Sequence, residues 1–99
     1  MAKRMEVRFY IDEETGLPHV NAHGVSEEEA EEVVRSPGDD RPARDGARMA
    51  LGRTRAGRYL VVIYVPDLDD DAVFVVTAYP LKGKLLAAYK RRLRKRPKR

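Results

Sequence analysis

The chain has 99 residues, 42% hydrophobic and 36% charged, with a net charge of +4 and no cysteine. That is the length of one domain with one modest core. Its longest apolar run, the eight residues Tyr59 to Pro66, falls far short of the roughly 20 that a membrane-spanning helix needs.

Nothing near Met1 reads as the apolar stretch of a secretory signal. Without cysteine there is no disulfide, thiolate metal site or cysteine nucleophile, which suits a reducing compartment. The expectation is a cytoplasmic domain with no membrane segment, metal or cofactor.

Met5, Val7, Phe9 and Ile11 alternate with Glu6, Arg8, Tyr10 and Asp12, and this period of two predicts a strand with one buried face. Glu13 to Gly16 reads as a hairpin connection. Leu17 to Asn21 reads as a short return strand, which Pro18 confines to an edge or a strand start. Ser26 with Glu29 three residues later is a capping box, and Val25 before the cap fits a hydrophobic staple. The helix it opens has only Ala30, Val33 and Val34 as an apolar stripe; its acids crowd the end that the helix dipole makes positive, and Pro37-Gly38 ends it. Residues 36–47 read as one long loop.

Three strands should close the body. Arg48 to Arg55 puts Met49 and Leu51 on one face. Arg58 to Val65 is the most apolar, hence central, and is stopped by Pro66. Ala72 to Tyr79 is ended by Pro80, with Val73, Val75, Thr77 and Tyr79 on one face and Phe74, Val76 and Ala78 on the other. Lys82 to Arg96 predicts a basic helix with Leu85, Leu86, Tyr89 and Leu93 on one stripe, stopped by Pro97. The order β-β-α-β-β-β-α describes an α+β fold on a small antiparallel sheet. It forms a single domain over residues 1–96 with a basic tail at 97–99.

The modest net charge conceals an asymmetry. Residues 82–99 hold ten of the 20 Lys and Arg and none of the 16 acids, so that segment is +10 and the body is −6. Such a segment attracts RNA, DNA or an acidic protein, or folds back on the acidic body.

Familiar catalytic loops are missing: the sequence has no Gly-x-Gly-x-x-Gly, no Walker loop and no Gly-x-Ser-x-Gly. On a strand, His19 and His23 would stand about 13 Å apart at about 3.3 Å per residue, too far to share a metal. His23 precedes Gly24 and the helix cap, where its ring either points into a cleft or bonds nearby backbone. A metal-free ribonuclease needs a base for the 2′-hydroxyl, cations for the phosphate and an acid for the leaving oxygen. His23, Tyr64 and Tyr79 are the candidates for proton transfer. Arg48, Arg53, Arg55, Arg58, Lys82, Lys84, Lys90, Arg91 and Arg94 are the candidates for holding phosphate. Each also has an ordinary reading, as a sheet-surface cation or a half-buried phenol.

His23-Gly24-Val25-Ser26 and the Glu-rich helix after it resemble the opening of BrnT-like toxins, members of the RelE/ParE superfamily of bacterial toxin–antitoxin ribonucleases. Gly57-Arg58-Tyr59-Leu60-Val61-Val62 resembles that family's strand after the hairpin. Thr77-Ala78-Tyr79, before a basic helix holding Tyr89, stands where the family carries Ser-Ala-Arg and a basic helix with a tyrosine. The opening Phe9-Tyr10-Ile11-Asp12 with Gly16-Leu17-Pro18-His19, and the Thr77-Ala78-Tyr79 ending, look most like a related uncharacterised family of small bacterial domains. The resemblance runs from about Phe9 to Arg92.

It implies a RelE/BrnT-like sheet with a concave face for RNA, a metal-independent endoribonuclease or a descendant of one, and a small antitoxin protein as partner. Two features depart from the family: the N-terminal hairpin, and Tyr79 in place of the arginine. The cation at the scissile phosphate is then missing, or supplied by Arg48, Lys82 or Lys84, and weak or absent cleavage is expected. The alternatives are a non-catalytic nucleic-acid-binding module using the basic helix and a protein-interaction domain for an acidic partner. The oligomeric state stays open.

Overall fold

The apolar, β-branched runs Arg48–Arg53 (β3), Tyr59–Asp67 (β4) and Ala72–Pro80 (β5) pair as the expected antiparallel meander in the computed structural model of the protein, which describes residues 5–69 and 71–95. β4 lies between its two neighbours, and its Leu60, Val61 and Val62 are fully buried. Pro66 does not stop β4. Pairing continues to Asp67 opposite Ala72, because the missing N–H falls at the hairpin end of the ladder.

The sheet is mixed rather than antiparallel. Glu6–Phe9 (β1) runs parallel to β5, with Glu6 opposite Ala72 and Phe9 opposite Val75. The expected return strand at Leu17 to Asn21 is replaced by a lone Ile11–Pro18 bridge and a 3₁₀ helix over His19–His23. Leu17 and Val20 are spaced for a helical turn rather than a pleat, and Val20 is the residue that turn buries. The expected long loop is also broken: Asp39–Pro42 (β2) pairs antiparallel with β3. Charge and a proline suit an edge strand, whose backbone makes the ladder on one side only. The order across the sheet is β1-β5-β4-β3-β2.

Helix Glu27–Arg35 (α1) forms as its capping box predicts. The Glu29 amide donates to Ser26 Oγ at 3.1 Å, and the Ser26 amide donates to Glu29 Oε1 at 3.0 Å. Its buried Ala30, Val33 and Val34 pack on one face of the sheet with Val20, Val25, Ala50, Leu60, Val62, Val73 and Val75. Gly52 permits this approach, since a Cβ there would meet Val33 Cγ1 at 3.1 Å. Helix Gly83–Lys95 (α2) covers the opposite face, its Leu85, Leu86, Tyr89 and Leu93 meeting Leu51, Val61 and Ile63. Arg96, the Pro97 stop and the 97–99 tail lie outside the described residues. Among the described residues no helix is long and apolar enough to cross a membrane.

One irregularity reorders β5. Ile63 faces Thr77 but Tyr64 faces Val75, so Val76 is an extra residue in a bulge. Alternation therefore changes phase. Val73, Val75 and Ala78 share the α1 face, whereas Tyr79 packs with the α2 cluster. Phe74, paired with Val65 one step beyond the bulge, comes onto the same face as Tyr79. The expected grouping of Val73, Val75, Thr77 and Tyr79 on one face is thus corrected.

Candidate functional site

Four of the nominated side chains are tied into the scaffold. Arg58 donates from Nη1 to the Gly24 carbonyl at 2.8 Å and to Glu29 Oε1 at 2.9 Å, joining β4 to the start of α1. The Ser26 amide, and after it the Arg58 guanidinium, hold the Glu29 carboxyl below its usual range. Arg48 reaches Asp40 across the β2–β3 ladder, Nε to Oδ1 at 2.9 Å. Tyr64 is buried and donates to Asp40 Oδ2 at 2.6 Å. Burial, and next the Asp40 carboxylate, push its phenol up to about 12, so it holds its proton throughout the neutral range. Arg53 stands over the Tyr59 ring, 5.4 Å from its centroid.

Arg55 is exposed at the β3–β4 turn, where its backbone amide donates to Glu32. Lys82, Lys84, Lys90, Arg91 and Arg94 are exposed on or just before α2. Lys90 Nζ also lies 5.1 Å from the Tyr59 ring centroid. Arg92 turns back onto the body, its Nη2 at 2.9 Å from Asp39 Oδ2.

Of the three proton-transfer candidates, His23 and Tyr79 come together and Tyr64 does not. Tyr64 faces α1, while Tyr79, opposite Val61, faces the α2 side. His23 ends the 3₁₀ helix lying along the part of β5 that β1 leaves uncovered, and its exposed ring is 6.3 Å from that of Tyr79.

Treating residues 17–21 as a strand separates two further partners that the structure unites. The tight turn brings the His19 and His23 rings to 5.3 Å instead of spreading them along a pleat. His19 then meets Tyr10 at 6.1 Å, and Tyr10 meets Phe74 at 6.4 Å. His19 Nδ1 lies 3.4 Å from Asp12 Oδ2. The i, i+3 spacing of Leu17 and Val20 was the signal that could have revealed this grouping. No group of three or more His, Cys, Asp or Glu side chains among the described residues could hold a metal ion.

The result is a continuous row of rings, Tyr79, His23, His19, Tyr10 and Phe74, over the β5 and β1 side of the sheet. Each neighbouring pair meets edge to face. Beyond Phe74 the row opens into a cleft of about 680 Å³, whose lining includes Arg8, Val65, Asp67 and Asp69 and none of the nominated residues. Compared with protein-family models, curated proteins and solved structures, the chain matches none of them.

Proposed function

We propose that this chain is a toxin-like domain of the RelE/BrnT kind that works on cytoplasmic RNA. His23 and Tyr79 would stand at the phosphate to be attacked. The observation supporting this is their meeting at 6.3 Å, with the exposed cations Lys82 and Lys84 following Tyr79 closely in the chain.

Neutral imidazole can take the proton of a 2′-hydroxyl, whose oxygen then attacks the adjacent phosphorus. The bond to the 5′-oxygen breaks, that oxygen takes a proton from the Tyr79 phenol, and a 2′,3′-cyclic phosphate remains. Lys82 and Lys84 can offset the charge that grows on phosphate. A phenol lacks the fixed charge and forked donors of a guanidinium, so cleavage by the native chain should be weak or absent. On this reading a small antitoxin protein is the natural partner.

The test is incubation of the purified chain with RNA in the presence of a chelator. Slow formation of cyclic-phosphate ends, lost in His23→Ala and increased in Tyr79→Arg, supports the reading. Strong native cleavage that survives Tyr79→Phe removes Tyr79 from it. Salt-dependent binding without cleavage in the native chain or Tyr79→Arg favours a non-catalytic nucleic-acid-binding module. That second reading draws on the exposed Lys90, Arg91 and Arg94 of α2. Failure to bind RNA at all overturns both.

A further inference from the structure

We propose that Phe74, Tyr10 and His19, the part of the ring row beyond His23 and Tyr79, form a stacking platform for the unpaired bases of single-stranded RNA. This rests on the reading of the same surface as RNA-directed, and adds which form of RNA it takes and which side chains hold it.

Phenols, a phenyl ring and imidazoles have sequence-tolerant faces on which bases stack, and β-sheet surfaces commonly present them to single strands. Here three of the five rings are exposed, Tyr10 at 44%, Phe74 at 38% and His23, while His19 and Tyr79 are half-buried. The five belong to three separate elements, β1 with its extension, the 3₁₀ helix and β5, yet form one unbroken line.

The spacing bears on the ligand. Neighbouring rings stand 5.3–6.4 Å apart with their planes inclined by 65–82°, so they cannot extend one regular parallel stack and suit bases splayed apart. Charge bears on its orientation. At the Phe74 end Asp67 and Asp69 outnumber Arg8, which lies 3.8 Å from Asp67, so that end disfavours phosphate, while the exposed cations Lys82 and Lys84 follow Tyr79 in the chain. Bases therefore face the Phe74 end, and the backbone is held near His23 and Tyr79.

Titration of a fluorescent 12-nucleotide RNA with the full chain tests this, comparing the single strand with the same strand annealed to its complement. The single strand should bind at least tenfold tighter. Phe74→Ala and Tyr10→Ala should each weaken it roughly 5- to 150-fold, equivalent to about 1–3 kcal/mol per stacked base. The salt slope should stay unchanged, because the cations that neutralise phosphate are all still in place. Phe74→Leu, which keeps an apolar side chain against Val65, should lose affinity as Phe74→Ala does, whereas Phe74→Trp should hold or gain it.

Equal affinity for single strand and duplex overturns the platform. So does native affinity in Phe74→Ala and Tyr10→Ala; RNA binding that persists in these cases leaves the broader reading standing. A native chain that binds neither form overturns the broader reading and the platform together.

Discussion

Two hydroxyls on β4 and β5 respond to burial in opposite ways. Thr77 Oγ1 is buried without a hydrogen-bond partner, and an unsatisfied buried hydroxyl costs about 1–3 kcal/mol. Valine keeps its shape without the polar group, so Thr77→Val should leave stability unchanged or raise it by about 1 kcal/mol in urea unfolding. Tyr64, by contrast, is satisfied by Asp40. Its pKa of about 12 lies above the ordinary 10, so folding favours the protonated phenol. That stabilisation is whole below pH 10 and is lost as pH rises toward 12. Tyr64→Phe should reduce stability by about 1–2 kcal/mol near neutrality. It should also remove the Tyr64 share of the alkaline decline, read from denaturation curves between pH 8 and 12.

Among the elements, α2 depends on a close approach to the chain just before β2. A Cβ at Gly38 would fall on the Tyr89 hydroxyl, with the ring carbon behind it 3.0 Å away. Gly38→Ala should therefore push α2 off the sheet and lower the melting temperature, and Tyr89→Phe in the same chain should recover part of the loss. Gly38 is not in the left-handed region, so the loss would report the clash with Tyr89 and not backbone strain.

Helices and central strands were legible in the sequence because each carries its own signal. Ser26 and Glu29 cap α1, Leu85, Leu86, Tyr89 and Leu93 stripe α2, and β4 is apolar from Tyr59 to Pro66. What stayed hidden depends on partners distant in the chain. β2 has no apolar pattern, since Asp39 and Asp40 answer to Arg92, Tyr64 and Arg48 from other elements. The parallel mate of β1 and the bulge at Val76 are properties of pairing, which alternation in one strand does not encode. The site divides the same way: His23 and Tyr79 could be nominated from residue type, but Tyr10, His19 and Phe74 join them only through the 3₁₀ turn and the bulge.

At the scale of the whole molecule, the basic helix is partly neutralised by the body. Arg41, and with it Arg92, hold the Asp39 carboxyl below its usual range. That ion-pair stabilisation is present above the ordinary carboxyl value and fades as pH falls through the depressed one. Arg92 and Leu93 therefore serve the fold, and a cut after Tyr89 would damage packing as well as charge. A cut removing residues 94–99 keeps both. It should weaken RNA binding and flatten its salt dependence, by about 0.7 in the logarithmic slope for each single-strand phosphate that the shortened chain leaves unneutralised. An unchanged slope, measured by anisotropy between about 50 and 200 mM salt, would place the phosphate-binding cations elsewhere.

The parallel pairing of β1 with β5 also sets an order of events during synthesis. Glu6 leaves the ribosome long before Ala72, its neighbour in the sheet, and pairings so distant in sequence close late and slowly. The meander can zip as it emerges, while the N-terminal strand waits for β5 to present an edge. Tyr10 and His19 come from the waiting end and Phe74 and Tyr79 from β5. The ring surface accordingly forms only once β5 has emerged and β1 has docked on its edge.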